Sequence, residues 1–390
     1  MSEFDLIRAH FAHLGAGRDD VVLGVGDDCA LLRVPAGKEL AVSIDTLVAG
    51  VHFLPSVDPE ALGHKCLAVG LSDLAAMGAE PAWATLALTL PREDPRWLGA
   101  FAAGFAALAR EHGLALVGGD TTHGPLSISV QVHGLVPAGQ AIRRAGALPG
   151  DLVGVSGTLG DAGLALRHLL AGEAVAADSR ARLERPTPRV ALGLALRGLA
   201  TAMIDISDGL AADLGHILEE SGAASAGGEG RGGGPSSANL AAENLTLASL
   251  GDGNRKPPTL RKGSGNPPRL GKGIGNAVSQ GYRQLGSGGE APVLGAEIRL
   301  AALPLSPAVS SRLARDADWS LPLASGDDYE LCFTLPPERA SELPALAERL
   351  GLDLTLIGRI LPDAGLVCIG PDGGRWTPEQ RGYNHFPDAG

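Results

Sequence analysis

The sequence is marked first by what it lacks. No C-x-x-C pair occurs among the four cysteines, Cys29, Cys66, Cys332 and Cys368, so no zinc site is signalled. Their mostly apolar surroundings predict reduced core residues of a cytoplasmic protein. No uninterrupted apolar run reaches ~18 residues, which argues against a membrane-spanning helix. The opening M-S-E-F-D-L-I-R-A-H-F has acids and spaced apolar residues where a signal peptide would have a basic region and an apolar run. Positive charge is short as well: 32 Lys and Arg against 44 Asp and Glu leave a net charge of −12. That balance argues against a general binder of nucleic acid or anionic membrane. Also missing are the phosphate loop G-x-x-x-x-G-K-[ST] and the kinase signatures H-R-D and D-F-G.

What remains is an ordinary globular composition, 45% hydrophobic and 19% charged over 390 residues, with room for two domains. Phe4, Ile7, Phe11 and Leu14 recur at helical spacing and predict a short amphipathic helix. Strands are expected over 29–34, 40–47, 83–90, 114–117 and 126–135, with helices over 59–78 and 95–112. The turn A-L-P-G-D (147–151) predicts a domain boundary. Beyond it, strands are expected at 151–155, 201–206 and 296–300, and helices near 160–171, 188–199, 209–221 and 306–315. A strand, a helix and two more strands follow over 329–370. This alternation predicts an α/β or α+β chain.

One segment breaks the pattern. Residues 226–294 hold 17 of the 56 glycines and carry eight Lys and Arg against four Asp and Glu. An imperfect repeat runs through them, P-P-T-L-R-K-G-S-G-N then P-P-R-L-G-K-G-I-G-N. Such composition cannot bury enough apolar area to offset chain entropy, so a disordered insertion in a surface loop is expected. A basic tether for an acidic partner is the sharper alternative.

The chemistry lies in the acids. V-S-I-D-T-L-V-A-G-V-H-F places Asp45 inside an apolar strand, where an unpaired charge is costly. Others sit in or beside apolar elements: Asp27 and Asp28 in G-V-G-D-D-C-A, Asp73 in L-S-D-L-A-A-M-G-A, Asp120 in L-V-G-G-D-T-T. Asp205 and Asp208 follow in I-D-I-S-D-G-L, and Asp327 and Asp328 in S-G-D-D-Y-E-L. Any one alone reads equally as a turn or helix cap. Together with the hydroxyls of Ser43, Thr46, Thr121 and Thr122, and with no His/Cys cluster, they form a hard oxygen-donor set. That set suits Mg²⁺ and hence phosphate chemistry.

These motifs, with K-C-L-A-V-G-L-S-D-L-A-A-M-G-A, D-I-S-D-G-L-A-A-D-L, S-G-D-D-Y-E-L-C-F and the closing G-Y-N-H-F, resemble thiamine-monophosphate kinases. The resemblance runs in order over nearly the whole chain except 226–294. It implies transfer of the γ-phosphate of ATP to thiamine monophosphate, with several Mg²⁺ ions and no phosphate loop. It also implies a two-domain PurM-like ATP-binding fold of the aminoimidazole-ribonucleotide-synthetase-like superfamily. Residues 1–148 would form an N-terminal sheet that pairs into a dimeric barrel in a homodimer, and 149–390 a C-terminal α/β layer interrupted by the insertion.

Carried over by position, the resemblance implies metal ligands at Asp28, Ser43, Asp45, Asp73, Asp120, Asp205 and Asp208. It implies ATP contacts at Gly119, Asp120, Arg144 and Ser207, and thiamine-phosphate contacts at His52, Asp327 and Tyr383. Asp327 stands where many relatives have Glu, one methylene longer, and the aromatic that contacts adenine in some relatives falls near Ala103. Because the acceptor is a phosphate oxygen, already largely deprotonated, no side chain is assigned as general base. The same residues also admit a related ATP-dependent synthetase, a hydrolase, or a non-catalytic Mg-ATP-binding protein.

Overall fold

Period-two alternation makes 38–48 a strand with two unlike faces. β3 (Lys38–Val48) turns Ser43, Asp45 and Leu47 one way and Val42, Ile44 and Thr46 the other, where all three are exposed. It pairs antiparallel with β6 (Ser127–Pro137), and β6 pairs antiparallel with β4 (Glu80–Leu90). β4 pairs parallel with β5 (Ala115–His123), giving an open sheet of order β3-β6-β4-β5. A short ribbon, β1 (Val21–Leu23) with β2 (Leu31–Leu32), precedes it. The computed structural model describes residues 7, 9–12, 14–226, 294–377 and 382, all within one compact unit. Much of the helix expected over 4–14, the insertion from 227 to 293, and Tyr383 lie outside the described residues.

Helix α1 (Pro59–Ala76) begins where Asp58 accepts the Glu60 and Ala61 backbone N–H groups, with Pro59 in the first turn. It ends at Met77, and Gly78 follows with φ 62°. Apolar residues surround it on nearly every side, as suits a central helix. It packs on β3 and β6 and also reaches the second sheet at β8 (Ala202–Asp205). Helix α2 (Pro95–Glu111) crosses it at bare backbone: a Cβ on Gly104 would stand 1.8 Å from the Glu60 carbonyl oxygen.

The second sheet has the order β13-β12-β9-β11-β7-β10-β8. Its remaining strands are β7 (Leu152–Ser156), β9 (Gly295–Arg299), β10 (Leu331–Leu335), β11 (Leu354–Leu361), β12 (Gly365–Ile369) and β13 (Arg375–Trp376). Only β12 and β9 run parallel, so the sheet is mixed. Around it lie α3 (Asp161–Leu170), α4 (Ala177–Glu184), α5 (Val190–Ala195), α6 (Leu210–Ala226), α7 (Pro307–Asp316), α8 (Ser320–Ala324) and α9 (Leu343–Leu350). One apolar core joins the two sheets, with Leu67, Leu71, Val130 and Val132 on one side and Met203, Leu331 and Phe333 on the other.

The structure departs from the sequence reading in places. The strand expected at 114–117 continues through Gly118, Gly119 and Asp120 to His123, because β4 offers a parallel partner along that length. Gly119 fits there because a Cβ would stand 2.0 Å from the Leu86 carbonyl oxygen. Helix α4 was not expected: only Ser179 and Leu183 are buried, too few for a helical stripe to show. Cys29 is exposed on the turn after Asp28, contrary to the core placement expected for all four cysteines; the other three are buried.

Candidate active site

The strand and helix that carry Asp45 and Asp73 bring them side by side. Ser43, two residues earlier on the same face of β3, donates its hydroxyl to Asp73 Oδ2 at 2.5 Å. Asp45 Oδ2 is buried and has no hydrogen-bond partner. Burial, then the adjacent Asp73 charge, push the Asp45 carboxyl up to about 7. Asp205, at the end of β8, joins them from the second sheet. Burial raises its pKa well above the usual carboxylate range, and Asp73 and Asp45 add to the rise. Three acids thus converge where the interior penalises their charge, and an orphaned oxygen lies among them. Protons or a hard cation would relieve this.

The segments I-D-I-S-D-G and S-G-D-D-Y-E are stitched together by their backbones. Asp327 N–H donates to the Ser207 carbonyl, Tyr329 N–H to the Ile206 carbonyl, and Ile206 N–H to the Glu330 carbonyl, each at 2.8 Å. Asp213 fixes the first segment from the opening turns of α6. Its Oδ2 accepts the N–H groups of Ser207, Asp208 and Gly209 at 3.0, 3.1 and 3.0 Å. Glu330 anchors the second. Fully buried, it accepts from Arg182 at 2.8 Å, from Arg189 at 2.7 and 2.5 Å, and from Ser156 Oγ at 2.6 Å.

Two cavities flank these groups. The larger, about 360 Å³, is lined by Asp27, Asp28 and Asp120 together with Gly118, Gly119 and Leu116. Register places Asp45 in a row with Val130, Leu86 and Gly119, and Asp120 one row further along. The smaller, about 80 Å³, is walled by Phe53, Leu166 and Leu169, with His52, Lys65, Glu184 and Asp327 as its polar groups. His52 lies in the turn after β3, and its Nδ1 accepts the Val48 N–H at 3.0 Å. That bond leaves the ring proton of a neutral imidazole on Nε2.

The acids therefore form two groups, Asp45 with Asp73 and Asp205, and Asp27 with Asp28 and Asp120. Among the described residues no hydrogen bond joins the groups, and no three His, Cys, Asp or Glu side chains form a ready-made cation cage. Ser207 and Asp208 are half-buried on the Asp213-held loop, while Arg144 and Ala103 are exposed. Arg144 lines neither cavity, and Tyr383 falls outside the described residues. Sequence reading missed Lys65, Asp213 and Tyr329. A lone lysine in the apolar run L-G-H-K-C-L-A-V was the signal for the first. The acid four residues after glycine in D-G-L-A-A-D-L was the signal for the second.

Residues 26–136, which hold β3 to β5 and most of β6, match the family model described as AIR synthase related protein, N-terminal domain. Thiamine-monophosphate kinase of Escherichia coli O157:H7 is 40% identical over 389 residues, covering 98% of each chain. The crystal structure of thiamine-monophosphate kinase from Stenotrophomonas maltophilia K279a is 40% identical, with a TM-score of 0.70 over 95% of this chain and 96% of that one. AaThiL complexed with AMPPCP and TMP is 27% identical, with a TM-score of 0.64 over 90% and 89%. The chain belongs to the thiamine-monophosphate kinase family, and its fold is that family's PurM-like fold.

Proposed function

We infer that the protein transfers the γ-phosphate of ATP to thiamine monophosphate, giving thiamine diphosphate. The full-length likeness to thiamine-monophosphate kinases carries this reading. A relative complexed with AMPPCP and TMP supports both substrates. The larger cavity suits the nucleotide by its size and by the Gly118–Gly119–Asp120 backbone along its wall. The smaller cavity suits the thiamine rings: its walls are apolar, and Asp327 offers a carboxylate to a cationic heterocycle.

The reaction needs little proton chemistry. A phosphate monoester oxygen is the nucleophile, so the obstacle is repulsion between two anions, and positioning with charge compensation is the remedy. The net charge of −12 makes that obstacle worse. The buried, unpartnered Asp45 Oδ2 beside Asp73 and Asp205 fits a hard divalent cation. Asp28, Ser43, Asp45, Asp73, Asp120, Asp205 and Asp208 are the residues that would hold Mg²⁺. When bound, Mg²⁺ supplies charge neutralisation and alignment of phosphate oxygens. Asp213 holds the Ser207–Asp208 backbone ready, and Ser207, Gly119, Asp120 and Arg144 contact ATP. His52, Asp327 and Tyr383 contact thiamine monophosphate.

The chain divides near residue 148 into an N-terminal nucleotide and dimerisation domain and a C-terminal domain interrupted by 226–294. Two copies pair through the outer face of β3, where Leu40, Val42 and Ile44 are 44%, 51% and 62% exposed; an apolar edge strand of this kind calls for cover. The test of function is an incubation with ATP and Mg²⁺ plus either thiamine monophosphate or free thiamine, scored for thiamine diphosphate. Product from the monophosphate alone is expected. ATP turnover that ignores thiamine monophosphate, or ATP binding without turnover, would overturn the reading.

A further inference from the structure

We propose that Lys65 is a positioning residue that aims the Asp327 carboxylate at the thiamine moiety and so sets the affinity for the acceptor. The inference rests on the assignment of the smaller cavity to thiamine monophosphate. Lys65 projects from the middle of α1, flanked in the chain by His64 and the buried Cys66, and its side chain is only 4% exposed. A lysine so deep is stable only with a partner, and its Nζ donates to Asp327 Oδ2 at 3.0 Å. The Tyr329 hydroxyl donates to the other oxygen, Oδ1, at 2.9 Å. Both carboxylate oxygens are thereby fixed, and each keeps a lone pair for a ligand.

The backbone is shaped to the same end. Asp327 and Tyr329 have φ of 61° and 49°, a left-handed conformation that residues with a Cβ rarely adopt. Such strain persists where surrounding contacts over-determine it, and it concentrates at ligand sites. Here the over-determining contacts are the Ser207 and Ile206 carbonyls behind and Lys65 and Tyr329 in front. Lys65 and Asp327 both line the cavity, so the pair is presented to whatever enters. Its partners come from opposite halves of the chain, 262 residues apart. The ion pair therefore also fixes one half's contribution to the cavity against the other's.

Steady-state kinetics on Lys65→Met, Lys65→Arg, Asp327→Asn and the Lys65→Met/Asp327→Asn double variant test this. Losing a charged hydrogen bond that orients the carboxylate should raise KM for thiamine monophosphate about tenfold to a hundredfold in Lys65→Met. KM for ATP should stay within about twofold, and kcat should change little. Lys65→Arg keeps the charge and should recover most of the acceptor KM. In the double variant the lysine change should add nothing beyond Asp327→Asn, as expected of a residue acting through another. Three results would overturn the proposal: an unchanged acceptor KM in Lys65→Met, an equal rise for both substrates, or a full additive cost in the double variant. Should Lys65→Met fail to fold, a Lys65→Arg variant that folds yet shows no recovered acceptor KM relative to Asp327→Asn would overturn it as well. Wild-type enzyme that makes no thiamine diphosphate would overturn the functional reading itself, and is seen before any variant is compared.

Discussion

Replacing Asp45 by asparagine should stabilise the cation-free protein while disabling it. An aspartate ordinarily titrates near 3.8, and in this fold Asp45 does so at about 7. The folded state thus binds the proton more tightly than the unfolded chain. The stability this provides is fully present below about 3.8, is lost as pH rises toward 7, and stays lost above it. At 1.36 kcal/mol per unit, the ionised carboxylate costs about 4 kcal/mol at pH 8. Asparagine has nearly the same shape and cannot ionise, and its amide can donate to Asp73. Urea unfolding in chelator should therefore show Asp45→Asn more stable than wild type at pH 8, by up to about 4 kcal/mol, with the gap closing toward pH 3.5. Saturating Mg²⁺ should close the gap, since a cation at a thousand times its Kd adds about 4.1 kcal/mol to the protein that binds it. A variant less stable than wild type at pH 8 in chelator, or a difference that ignores pH, would refute the reasoning.

Asp213→Ala removes the single acceptor of three backbone N–H groups. It should cost about 1–3 kcal/mol in urea unfolding and raise KM for ATP; an unchanged KM would show that the Ser207–Gly209 loop holds itself. Glu330→Ala leaves two guanidinium groups facing a buried gap, and a loss of about 3–5 kcal/mol is expected by thermal or chemical denaturation. Ile44→Lys places a charge on the exposed apolar face of β3, and sedimentation should show a shift from dimer to monomer. A wild-type protein already monomeric at micromolar concentration would rule that interface out.

Much of the fold was legible because its elements carry strong local signals. The Asp58–Pro59 cap and Gly78 bracket α1, and period-two alternation marks β3. What escaped depends on partners distant in sequence. The extension of β5 past Gly118 is set by β4, and α4 has only two buried residues to declare it. At the site, the acids were visible as types out of place in apolar segments, and Asp45, Asp73 and Asp205 indeed lie together. Their separation from Asp27, Asp28 and Asp120 was invisible, because it follows from how strands register and how loops fold back. Lys65 and Tyr329 were invisible as a pair of partners for Asp327, since one of those contacts spans 262 residues.

Cation binding at the acidic cluster can be measured directly by titrating wild type and Asp45→Asn with Mn²⁺ in the presence of a non-hydrolysable ATP analogue, counting bound ions by paramagnetic resonance. Wild type should bind Mn²⁺ tightly, and Asp45→Asn should lose at least one ion or bind it at least about tenfold more weakly. Equal stoichiometry and affinity in the two proteins would contradict the role assigned here to the buried carboxylates.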